Sequence, residues 1–122
     1  MANNYTEFSE MIPCETQGQI EWLENALTGG SEGYPVCEFD REGDGVWVYS
    51  EDIGDLGALA DVVSAFQLRF DVAKPWTLTW AGTCSEPLLG NFGGGGVVVY
   101  KGKAHWMNTW DWCAAEVLRL QA

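Results

Sequence analysis

The chain has 122 residues, of which 47% are hydrophobic and seven are Trp, enough to bury one core and too apolar for a disordered segment. Its formal net charge of −12 argues against direct binding to nucleic acid or an anionic membrane, where the phosphate term is repulsive. Apolar runs are a few residues long, far below the ~20 of a membrane span, and the opening "MANNYTEFSEMIP" is polar, so a cytoplasmic protein is expected.

In chain order, "FSEMIP" (8–13) reads as a short strand ended by Pro13. Thr16 with Gln19 three residues later is a capping-box pattern. Ile20, Leu23 and Leu27 then give one helical stripe, which Gly29 and Gly30 end. "PVCEF" and "VWVYS" flank "DREGDG", which predicts a hairpin. Asp55 is placed to cap a second helix whose Leu56, Leu59, Val63, Phe66 and Phe70 share a face. "WTLTWAG" alternates with the period of a strand. "GGVVVY" follows as another, paired with a short "AHWM" across "KGK". Asn108 can cap a last helix with Trp110, Cys113, Ala114, Val117 and Leu118 on its buried face.

This order predicts one α+β domain over 1–122: a ferredoxin-like β-α-β-β-α-β sandwich with an extra C-terminal strand or hairpin and helix. Cys14, Cys37, Cys84 and Cys113 contain no C-x-x-C pair, and buried free thiols are expected.

The run "FGGGGVVVY" (92–100) raises the question of a phosphate loop. A dinucleotide loop follows a strand and opens a helix, and a P-loop puts Lys and Ser/Thr after its last glycine. Here the glycines lead into a strand and Val97 follows Gly96. The expectation is architectural: a flat floor beneath aromatic rings, or a bulged strand entrance.

The wider segment "TWAGTCSEPLLGNFGGGGVVV" resembles the signature of a family of small acidic proteins of bacteriophages, plasmids and their hosts, approximately T-W-A-x-T-C-S-x-P-x-x-G-x-F-G-G-G-A. Thr79, Trp80, Ala81, Thr83, Cys84, Ser85, Pro87, Gly90, Phe92, Gly93, Gly94 and Gly95 match; Gly96 departs, where the family more often has Ala. "FSEMIP" and "WVYSEDIGD" also fit, so the resemblance spans most of the chain. It brings no catalytic residues. It implies a mobile-element setting, in which many small acidic proteins block host defence systems, as anti-CRISPR proteins do.

Charge is unevenly placed. Residues 1–61 hold 14 acids against one base, Arg41, whereas residues 62–122 hold four acids against five bases. Glu38, Asp40, Glu42, Asp44, Glu51, Asp52 and Asp55 are the candidate partner-binding acids, with Trp22 and Trp112 as apolar anchors. If Glu38 and Asp40 continue a strand, same-side carboxylates repeat every ~6.7 Å, against ~3.4 Å for phosphates on one DNA strand. Mimicry of nucleic acid then needs a second row, from Glu21 and Glu24.

Asp40, Glu42, Asp44, Gly45 and Glu51 also fall in the register of a calcium loop. An EF-hand requires helices on both sides, however, and a hairpin explains the same letters. No metal ligand set or cofactor is assigned. His105, the single histidine, has no sequential partner for a Cys–His dyad with Cys84 or Cys113, and no catalytic residue is assigned. The expected function is a non-enzymatic inhibitor of phage or mobile-element type, binding a host defence protein with a basic surface, including a basic nucleic-acid-binding groove. The alternative is a small-ligand or calcium-binding accessory domain.

Overall fold

The computed structural model describes residues 3–30, 33–87, 89 and 91–122. Gly90 of the glycine motif lies outside the described residues. The elements are β1 (Asn4–Pro13), α1 (Gln17–Thr28), β2 (Glu38–Glu42), β3 (Gly45–Ser50), α2 (Leu56–Phe70), β4 (Trp76–Cys84), β5 (Gly93–Tyr100), β6 (Lys103–Asn108) and α3 (Thr109–Gln121). The fold is α+β: one open six-stranded sheet of order β2-β3-β1-β4-β5-β6, antiparallel throughout, with three helices.

Local chemistry sets the boundaries. Thr16 Oγ1 accepts from the Gln19 amide at 3.1 Å and starts α1. The Gln19 side chain reaches back to the Glu15 amide at 2.7 Å, one residue earlier than a capping box requires. Asp55 Oδ1 accepts from Ala58 N at 2.9 Å and starts α2. The β5–β6 turn is Lys101–Gly102, with φ of 51° and 76°. Two successive positive φ values match the strands' right-handed twist, and Gly102 takes its share without strain.

The sheet's core face alternates as apolar strands should. Phe8 and Ile12, Val46 and Val48, Trp76 and Leu78, and Val97 and Val99 share one cluster with Ile20, Leu23 and Leu27 of α1 and Leu59, Val63 and Phe66 of α2. Many of these are at or below 2% exposure, and each such side chain contributes roughly 1.5–3 kcal/mol of burial. Trp22 lies in the seam between the helices, its ring 6.0 Å from Phe66 and 5.9 Å from Phe70, the latter edge-on.

β1 bridges two halves of the sheet. Its residues Asn4–Glu7 pair with β4, and Phe8–Pro13 pair with β3. Beyond Glu7 the β1–β4 ladder gives out, and the Trp76 indole N–H donates to the Met11 carbonyl at 2.8 Å.

Three sequence expectations need correction. Strand β2 begins at Glu38, not Pro35. Val36 N instead bonds the Leu27 carbonyl at 2.8 Å, which ties the preceding segment to the end of α1. Strand β5 begins at Gly93, so all four glycines lie inside the strand. In α3 no residue is buried: Val117 is 52% exposed, Leu118 72% and Leu120 68%. Asn108 is both the last residue of β6 and the cap of α3, accepting from Asp111 N at 2.8 Å. With no linker, the helix leaves the edge strand directly, and its first turn rests Trp110 on Gly93 of β5.

Candidate partner-binding face

Pairing register shows what lies opposite the core. Glu38 faces Tyr49, Asp40 faces Trp47, and Glu42 faces Gly45, while Phe39 and Arg41 oppose the buried Val48 and Val46. Glu38, Asp40 and Glu42 therefore project from the face that α1 and α2 leave uncovered, at the β2 edge. They repeat every ~6.7 Å along the strand.

Two aromatic residues flank them. Trp47 and Tyr49 stack with centroids 4.0 Å apart at 24°, and Tyr49 Oη donates to Asp40 Oδ2 at 2.7 Å. That hydrogen bond, with desolvation and the negative potential of Asp40, Glu38 and Glu51, pushes the Tyr49 phenol up to about 12. Three carboxylates of the candidate surface thus act on one hydroxyl. Trp47 Nε1 donates to Ser9 Oγ at 2.8 Å, fixing the outer ring of the stack. Sequence reasoning did not nominate Trp47 or Tyr49. The signal was present in "VWVYS", where aromatics alternate with the core valines and so must face the other way.

Arg41, the single base of residues 1–61, does not neutralise this face. It projects to the helix side and pairs with Glu24 Oε1 of α1 at 2.5 Å. The same contact engages Glu24 there, so the second row of carboxylates that nucleic-acid mimicry needs is not formed beside the first.

The remaining acids divide. Asp44 lies in the β2–β3 turn, where its carbonyl accepts from Cys14 N at 2.9 Å. Glu51 and Asp52 follow the far end of β3; the Asp52 carbonyl accepts from Thr6 N at 2.8 Å and its side chain is exposed. Asp55 acts as a helix cap. Trp22 is held between the helices rather than offered to a partner, whereas Trp112, on α3, is 57% exposed. The nominated acids therefore border the β2–β3 end of the sheet without forming one flat array.

The calcium register dissolves in three dimensions. Asp40 and Glu42 sit in β2, Asp44 in the turn and Glu51 past β3, and among the described residues no group of three or more His, Cys, Asp or Glu could hold a metal ion. A Cys84–His105 dyad is also ruled out by register. His105 opposes Val98, which opposes Thr77, seven residues along β4 from Cys84 or roughly 23 Å. Cys14 and Cys37 are buried free thiols, pushed up to about 11 and about 12 by desolvation. Cys113, which helical periodicity assigned to the core, is exposed.

The glycine run is a floor, and the rings on it are Trp80 and Trp110. A Cβ on Gly95 would meet the Trp80 ring at 2.7 Å, and one on Gly93 would meet the Trp110 ring at 2.6 Å. Thr109 Oγ1 accepts from Gly94 N at 3.2 Å, and Trp80 meets Trp106 edge-on at 5.7 Å. At the other end of the molecule, where β1 and β4 part, a cleft of about 570 Å³ is lined by Ile12, Cys14, Gln19, Phe66, Phe70 and Trp76 among others.

No family model, curated protein or solved structure matches the chain. No described helix is long and apolar enough to cross a membrane.

Proposed function

We propose that this chain is a non-catalytic inhibitor that docks the anionic β2–β3 end of its sheet onto a basic surface of a host defence protein, in the cytoplasm of a cell carrying the phage or plasmid that encodes it. One observation carries the reading. Glu38, Asp40 and Glu42 stand on one exposed edge beside the Trp47–Tyr49 stack, while Arg41 is directed away from them. Such a face draws a cationic surface by long-range attraction and offers it stacked aromatic rings, which guanidinium groups favour. The carboxylate spacing is half as dense as DNA phosphates, which favours an irregular basic patch over a groove that reads a regular backbone. The strand order β2-β3-β1-β4, with α1 and α2 sharing one core, supports a ferredoxin-like sandwich extended at one edge by β5, β6 and α3.

The test is capture of partners from host lysate at low and high salt. Binding should fall steeply as salt rises, and Asp40→Lys, Glu42→Lys and Asp44→Lys combined should abolish it. Capture that survives both high salt and charge reversal overturns the reading.

A further inference from the structure

Helix α3 presents an apolar stripe that none of the described residues buries. At 100° per residue, Trp110, Cys113, Ala114, Val117, Leu118 and Leu120 fall within one arc, and all six are exposed. Trp110 rests its ring on Gly93 at the start of the helix. Val117, Leu118 and Leu120 are 52%, 72% and 68% exposed, and a contiguous exposed apolar patch marks an interaction surface.

We infer that α3 is a dimerisation helix and that its occupant is α3 of a second copy of this chain, packed antiparallel about a two-fold axis. Charge selects this occupant. A basic partner is drawn to the β2 edge, at the opposite end of the strand order from β6 and α3. Two chains of net charge −12 repel each other nearly everywhere, but residues 101–122 carry Lys101, Lys103 and Arg119 against Asp111 and Glu116. There like charges are not forced together. Four of the six residues are also self-complementary about residue 115. Antiparallel packing sets Trp110 against Leu120 of the partner subunit and Cys113 against Val117 of the partner subunit, as an isologous interface requires. Two acidic edges then point outward from one dimer.

Sedimentation or light scattering of the full chain over a concentration series tests this independently of any host partner. The expected result is a species of twice the 13.4 kDa chain mass that dissociates on dilution. Val117→Glu with Leu118→Glu should leave only the monomer while far-ultraviolet circular dichroism stays unchanged, since both side chains are already exposed. A short bis-maleimide should cross-link the wild-type dimer through Cys113, and Cys113→Ser should remove that product. A chain that remains monomeric into the millimolar range overturns the inference, as does a dimer that survives the double substitution.

Discussion

Tyr49 donates its phenolic proton to Asp40 across the β2–β3 hairpin at 2.7 Å, and this one bond joins the aromatic and acidic parts of the candidate face. Asp40→Asn should bring the Tyr49 phenol down from about 12 towards its ordinary value near 10. Ultraviolet difference titration reads this directly. A Tyr49 titration unmoved by Asp40→Asn, with the fold intact, would show that the bond does not form in solution.

Alkaline stability follows from the same sign. The phenol of Tyr49 and the thiols of Cys14 and Cys37 all have folded-state values raised above their unfolded ones. Below the unfolded values, near 9 for the thiols and 10 for the phenol, their contribution is fully present; it is lost as pH climbs through about 11 to 12. Thermal unfolding should therefore show a falling midpoint over this window. Cys113 should alkylate readily at neutral pH, and Cys14 and Cys37 only on unfolding, as peptide mass spectrometry would show.

Gly93, like Gly94 and Gly95, cannot accept a side chain without loss. Gly93→Ala drives a methyl group into the Trp110 ring and should cost about 1–3 kcal/mol, accompanied by a change in Trp fluorescence as the ring is displaced. Gly96→Ala, whose added atom would meet Leu78 O at 3.5 Å, should be nearly neutral. That contrast separates a packing requirement from a general need for glycine in β5.

Gln67 ties α2 to the β5–β6 turn. Its amide donates to the Val99 carbonyl at 2.7 Å and accepts from Gly102 N at 3.0 Å, with 3% of the residue exposed. Gln67→Met keeps the bulk but orphans both groups, and should lower stability by about 2–3 kcal/mol in denaturant titration. Gln67→Glu retains an acceptor for Gly102 and opposes the Val99 carbonyl, so it should be no better tolerated at neutral pH.

Periodicity identified which residues share a helical face, and in α1 and α2 those faces are the core. In α3 it identified the face equally well, but it carries no information on whether another layer lies beneath. Trp110, Cys113, Ala114, Val117 and Leu118 looked buried because burial is the usual fate of such a stripe. Trp22 was misjudged for the opposite reason: it flanks the α1 stripe, and only the neighbouring α2 supplies Phe66 and Phe70 to enclose it. The strand character of Gly93 and Gly94 was hidden because glycine has no β preference of its own. Gln67 gave no sign at all, since a polar residue inside a helical sequence reads as solvent-facing until its two backbone partners from β5 and the following turn are in view.

A strand that opens with four side-chain-free positions has no alternation there to tell one alignment from the next. The valines at 97–99 and the tight turn at Lys101–Gly102 must set the alignment, so zippering proceeds from the turn outward and reaches the glycines last. Trp110 then acts as the end stop: its indole seats only when Gly93, and not a neighbour with a side chain, arrives underneath.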